Sequence, residues 1–234
     1  MRKENESQIA RRLGTGFRTH FGKGPQTIHV TYMPPFITMH LQGFLAPMEE
    51  ILLHQNQHTQ LEQLRKQMMI KVLPIIQQII EEETSETVQE LYYDWNFRQT
   101  EKCTGMIWGL FDASQHQKES FFWPSELNKA MFQQQLTDFS KKAQKEPKET
   151  NLFWLHDRLL VVERKGVFVE IEKAFIKQGY IETLKGVKRP LEKQPSVKYV
   201  LENLLQRSIQ EAFVDWNFPE DKEYLLLSLE KPKE

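Results

Sequence analysis

The four residues Asp94-Trp95-Asn96-Phe97 recur as Asp215-Trp216-Asn217-Phe218, 121 positions further along a chain of 234. Tryptophan is scarce here, five in the whole sequence, so a repeated tryptophan phrase constrains the fold more than any bulk property does. Sliding the chain over itself by 121 positions pairs Pro74–Phe97 with Pro195–Phe218. In that window Pro74/Pro195, Glu81/Glu202, Gln89/Gln210, Glu90/Glu211 and all of Asp-Trp-Asn-Phe are identical. Ile76/Val197, Ile79/Val200, Ile80/Leu201, Val88/Ile209 and Tyr92/Phe213 exchange one apolar residue for another. Packing asks for that kind of exchange, because volume and pattern matter more than identity. Upstream, Gly43 faces Gly166, Glu49 faces Glu172 and Pro25 faces Pro147 after small shifts of register. Duplication of a segment of about 110 residues is the economical reading. It divides the chain into repeats at 1–116 and 117–234, each long enough for its own core.

Both copies read as the same order of elements. An amphipathic helix over Ile9–His20 opens the first, and one over Leu127–Ala143, capped through Pro124-Ser125, opens the second. Two strands follow in each, Thr27–Tyr32 with Phe36–Gly43 and Asn151–His156 with Arg158–Arg164, joined by turns short enough for antiparallel hairpins. Pro47, Glu49 and Glu50 suit a helical first turn. After a polar break at His54–Thr59, Leu61, Leu64, Met68, Val72, Ile75 and Ile79 form one apolar stripe. The second copy breaks at Gly186, Pro190 and Pro195. Strand pairs Val88–Phe97 with Met106–Phe111, and Ile209–Phe218 with Tyr224–Leu229, close the copies. The expectation is α+β: two tandem α-β-β-α-α-β-β repeats, each a mainly antiparallel four-stranded sheet covered by helices, packed as a pseudo-twofold pair.

Composition removes several classes of function. Thirty-one Lys and Arg against 32 Asp and Glu give no global electrostatic reason for nucleic acid or an anionic membrane as partner. One cysteine, Cys103, permits neither an intramolecular disulfide nor a cysteine-based zinc site, and fits a reducing cytosol. The opening MRKENESQIARRLGTGF lacks the apolar run of a signal peptide, and Val72–Ile80 is too short to span a bilayer. The expected setting is cytoplasmic.

On a strand, Leu91, Tyr93, Trp95 and Phe97 share one face, as do Ala212, Val214, Trp216 and Phe218. Trp95, Phe97, Trp216 and Phe218 are therefore read as core anchors. Asp94, Asn96, Asp215 and Asn217 fall opposite, near strand ends, where they can bond turn amides or bind a cation or partner. Gly22-Lys23-Gly24-Pro25 reads as a tight turn from helix to strand, with an anion cradle aided by Arg18, Lys23 and His20 as its rival. It fails the P-loop pattern, since Gly24 follows Lys23 where Ser or Thr is needed. His54, His58 and Glu62 have ligand spacing but lie in a glutamine-rich connection, and Cys103 lies in a turn beside Lys102. No catalytic constellation, metal site or cofactor motif emerges.

Gly22-Lys23-Gly24-Pro25 after an amphipathic helix resembles the G-x-G-P turn of the MpsC/YbcI-type domain. Leu41–Glu49 (LQGFLAPME) resembles that family's L-x-G-x-L-[TS]-P-x-E, and the closing hairpin with Asp94 and Trp108-Gly109-Leu110-Phe111 agrees. The resemblance covers residues 5–112, and 125–230 only through the internal repeat. The second copy has Lys145-Glu146-Pro147 for the glycine turn and Val169-Glu170 in place of the proline. The resemblance implies a soluble accessory component of a bacterial sodium-translocating, membrane-potential-generating system, with no reaction attached to it. The expected function is non-enzymatic: accessory or regulatory, acting through a protein partner in a membrane-associated transport complex, as a monomer or weak homo-oligomer. The alternative is a sensor of small ligands or anions, using the Gly22–Pro25 turn and the cleft between repeats.

Overall fold

The structure is a computed structural model that describes residues 2–97, 103–116, 121–143 and 145–231. It divides into two units, Met1–Glu119 and Ser120–Glu234. The first contains α1 (Arg2–Phe21), β1 (Thr27–Met33), β2 (Phe36–Gln42), α2 (Pro47–His54), α3 (His58–Thr84), β3 (Val88–Asn96) and β4 (Thr104–Phe111). Two hairpins, β1–β2 and β3–β4, join through β2 and β4 into an antiparallel sheet of order β1-β2-β4-β3. Placing β4 centrally explains its sequence, TGMIWGLF, which carries no charge and is buried at all but one position. Ile9, Leu13, Phe17 and Phe21 recur every four residues on α1 and bury one helical face against Ile37, Met39, Leu41 and Ile107. On the opposite face of the sheet Phe36, Thr38, Tyr92, Met106 and Trp108 are buried as well, with Tyr92 stacked on Trp108 at 5.6 Å.

The second unit contains α4 (Lys129–Ala143), β5 (Glu149–His156), β6 (Leu159–Lys165), α5 (Glu170–Lys177), α6 (Ile181–Glu192), α7 (Pro195–Leu205), β7 (Ile209–Asn217) and β8 (Lys222–Leu229). Its sheet has the corresponding antiparallel order, β5-β6-β8-β7. The fold is α+β, in two similar halves.

Residues shared between the halves hold the same local features. Ser85 and Gln206 both end a helix in the left-handed conformation, at φ 58° and 50°. One turn earlier, Glu81 Oε1 accepts the Val88 amide at 3.0 Å and Glu202 Oε1 the Ile209 amide at 2.7 Å, so each glutamate fastens its helix to the strand that follows. A register shift occurs between Val88 and Glu90, and its counterpart between Ile209 and Glu211.

Four details differ from the sequence reading. The second unit has three helices between its strand pairs rather than two. Gly186 and Pro190 lie within α6, and the break falls at Lys193-Gln194, before Pro195 opens α7. Proline has no N–H to lose at a helix start, which favours that position. Its counterpart Pro74 lies inside the continuous α3. Asn128, not Pro124-Ser125, caps α4: its Oδ1 accepts the Met131 amide at 3.0 Å, three residues on. The helix α1 begins at Arg2, well before Ile9. Finally, the buried face of α3 is Leu61, Arg65, Met69, Val72, Ile76, Ile79 and Ile80, whereas Leu64, Met68 and Ile75 are half-buried. The stripe is rotated about one residue from the apolar pattern, and an arginine lies within it.

Candidate functional site: a buried cation beneath each indole

Arg65 is buried because everything around it is arranged for a guanidinium. The helix α2 starts at Pro47, and the side chain of Glu49 in its first turn folds back so that Oε2 accepts the Ala46 amide at 2.8 Å. The same carboxylate takes Arg65 in two-pronged fashion, Nε to Oε1 and Nη2 to Oε2, both at 2.5 Å. Nη2 also donates to the Phe44 carbonyl oxygen at 3.2 Å, while Nη1 has no acceptor among the described residues. Aromatic faces take the place of water: the guanidinium carbon lies 4.2 Å from the Trp95 ring centre, 4.5 Å from Phe44, and 5.4 Å from both Phe21 and Phe97. Ring quadrupoles attract a desolvated cation, which offsets part of the cost of removing it from solvent. Arg65 and Glu49 are each only 1% exposed, so the pair acts on the fold, tying α2, α3 and the sheet together.

The second unit repeats this arrangement with lysine. Glu172 in the first turn of α5 accepts the Val169 amide at 2.9 Å and the Lys188 ammonium at 2.7 Å. Lys188 Nζ is 5.3 Å from the Phe168 ring centre and 5.6 Å from Trp216. Acid and base are 16 residues apart in both units. The lysine makes a single point contact where the arginine makes a fork.

The two indoles differ in what opposes them across the sheet. Trp95 is paired with Gly105, and a Cβ built there would lie 1.9 Å from Trp95 Cζ3, so the ring covers space that only glycine leaves open. Trp216 is paired with Glu223, whose Oε2 accepts the indole N–H at 3.0 Å. Glu223 in turn contacts Arg164, which also donates to the Ser140 hydroxyl at 2.5 Å and to Glu192 at 2.6 Å. Burial opposes the charge on Arg164, but Glu223 and Glu192 outweigh it and hold the guanidinium above its ordinary value. The second unit therefore buries a charge network where the first buries a bare ring.

Trp95, Trp216 and Phe218 are buried in the two cores, and Phe97 is half-buried against the first. Asp94 and Asp215 are each 1% exposed, and each accepts the amide of the following tryptophan, at 2.8 and 3.0 Å. Asp215 additionally meets Lys185 at 2.6 Å and Arg189 at 3.6 Å, both from α6. Asn217 accepts the Glu220 amide in the β7–β8 turn at 3.2 Å, and Asn96, half-buried, ends β3. Gly22 leaves α1 with φ +73°, and its N–H returns to the Arg18 carbonyl oxygen at 3.0 Å. A Cβ at Gly24 would stand 3.1 Å from the Gly14 carbonyl oxygen. Pro25 follows, and Lys23 is paired with Glu50 of α2 at 2.7 Å, so the turn is tied to the start of that helix.

His54 ends α2 while His58 and Glu62 belong to α3, and among the described residues no group of three or more His, Cys, Asp or Glu is placed to hold a metal. Cys103 is buried; of the turn expected over 98–104, residues 98–102 lie outside the described residues. Sequence reasoning missed Arg65, Lys188, Arg164 and Glu223 because hydropathy counts each as surface. The signal was present in the matched Glu-to-cation spacing of the two copies.

No described helix is long and apolar enough to cross a membrane. Residues 1–109 match the family model described as Na+-translocating membrane potential-generating system (MpsC). No curated protein and no solved structure matches the chain. The matched segment runs from α1 into β4 and holds the glycine turn, the Glu49–Arg65 pair and Trp95, so the likeness to an MpsC-type domain lies in the first unit.

Proposed function

We propose that this is a non-enzymatic accessory or regulatory protein of the bacterial cytoplasm that acts by presenting a surface to a protein partner, a component of a membrane ion-transport system. The second unit is a diverged duplicate of the first. The observation that carries this reading is the outer side of α2 and α3. Met48, Ile51 and Ile70 are 60%, 51% and 54% exposed on the helix pair that Glu49 and Arg65 clamp from within. A rigid helix pair with apolar side chains turned outward is a common form of protein-binding surface. The family description supplies the transport system as the class of partner.

Affinity purification from native cells with solubilised membranes tests this. The full chain should retain an ion-transport membrane protein, and Met48→Ser/Ile51→Ser should lose it while keeping the wild-type circular dichroism spectrum. Retention of the same proteins by both forms would refute the reading.

A further inference from the structure

The two sheets have β1, β3, β5 and β7 as their edge strands, and three of these are guarded against a further strand. β3, β5 and β7 each slip register against their neighbour, at Val88/Glu90, Trp154/His156 and Ile209/Glu211, which breaks the ladder an added strand would need. Side chains also occupy strand carbonyls: Thr150 of β5 accepts Gln133 Nε2 at 3.2 Å, and Val214 of β7 accepts Arg189 Nε at 3.4 Å. β1 is different. Its seven residues, TIHVTYM, pair with β2 without a shift and include no Lys, Arg, Asp or Glu.

One bond fixes which way its backbone points. The Tyr32 amide donates to Glu6 Oε1 of α1 at 2.9 Å, so it faces away from β2. Residues of an antiparallel pair alternate between facing the neighbour and facing outward, so Val30 and Ile28 face outward too. Among the described residues nothing bonds their outward N–H and C=O groups. Two donors and two acceptors at strand spacing are complementary to another extended backbone.

Room and charge narrow the occupant. Gly14 of α1 lies over Ile28, where an added Cβ would meet Ile28 Cδ1 at 3.9 Å, and by helical spacing Ala10 and Ser7 share that flank. Small residues there leave space beside the strand. Cations stand at both ends of the open stretch. Arg18 Nη2 is 4.0 Å from the same Gly14 position, and the Arg2 guanidinium carbon lies 5.8 Å from the Tyr32 ring centre. Arg2, Lys3 and Arg18 have no acidic partner among the described residues. Of the two acids of α1, Glu6 holds the Tyr32 amide and Glu4 is exposed, so basic charge prevails along the edge.

We propose that an acidic, extended peptide segment of a partner adds to the β1 edge as a fifth strand. Its backbone bonds Ile28 and Val30, and its carboxylates meet Arg18 and Arg2. These residues are distinct from those of the α2–α3 surface, so either reading can fail without the other.

Random twelve-residue peptides displayed on phage and selected on the full chain supply the probe. Enriched peptides should carry Asp or Glu on both sides of an uncharged run and, once synthesised, should slow hydrogen exchange at the Ile28 and Val30 amides. Val30→Pro removes an outward donor while sparing the ladder to β2, and should weaken binding about tenfold. Arg18→Gln, at an exposed position where folding is not at issue, should weaken it about threefold. No enriched peptide, enriched peptides without acids, unchanged exchange at both amides, or undiminished binding by both variants would overturn the proposal. So would a dimer in sedimentation that Val30→Pro converts to monomer, because a second copy of the chain would then hold the edge.

Discussion

Gly105→Ala isolates the packing of the first indole. The added methyl would sit 1.9 and 2.1 Å from two ring carbons of Trp95, against ordinary contact distances above 3.4 Å, so the ring must retreat by more than an ångström. The same ring lies 4.2 Å from the guanidinium carbon of Arg65, and Arg65 is held by two 2.5 Å bonds to Glu49. Retreat therefore displaces a buried ion pair. Overpacking of a well-filled core costs about 1–3 kcal/mol, and loosening this pair raises the expected loss to about 3 kcal/mol or more. The background of the substitution decides the cause. With Trp95→Leu already in place the clash disappears, and alanine, which restricts the unfolded chain more than glycine does, should stabilise by about 0.5–1 kcal/mol. Urea unfolding followed by far-ultraviolet circular dichroism reads both values. A loss below about 0.5 kcal/mol for Gly105→Ala, or the same loss in the Trp95→Leu background, would refute the packing argument.

Three further expectations follow from other parts of the chain. Asp112 is held below the ordinary carboxylate range by the hydroxyl and amide of Ser114; a depressed acid stabilises above its unfolded pKa of about 3.9 and loses that contribution as pH falls through its folded value. Asp112→Asn should accordingly flatten the acid limb of stability, and an unchanged acid limb would contradict the assignment. Asn128→Ala should cost about 1 kcal/mol through loss of the α4 cap, measurable as a lowered urea midpoint, while Ser125→Ala should cost nothing measurable. Cys103, 1% exposed, should resist a thiol reagent in the native protein and react on unfolding; rapid native labelling would contradict its burial.

The element order of the first half and the strand pairing of both were legible in the sequence because period-two and 3.6-residue patterns report which side of an element is buried. The α+β class, both hairpins of each half and the inward tryptophans rested on that signal. Arg65 was not legible, because its burial depends on four rings and a carboxylate brought together from distant parts of the chain. Ignoring it shifted the apparent stripe of α3 onto Leu64 and Met68. The helix break before Pro195 was displaced for a related reason: Gly186 and Pro190 are poor helix formers, but tertiary contacts at Leu184 and Lys188 hold α6 together across them. Gly105 gave no local sign of its role, since the ring that requires it belongs to the neighbouring strand.

The central claim is that each half holds its first helix pair to its sheet through a glutamate and a buried cation beneath an indole. Double-mutant cycles on both pairs, Glu49→Gln with Arg65→Met and Glu172→Gln with Lys188→Met, measure it most directly. The prediction is a coupling of about 2 kcal/mol or more for the arginine pair and a smaller coupling of the same sign for the lysine pair. Additive effects in either half would contradict it.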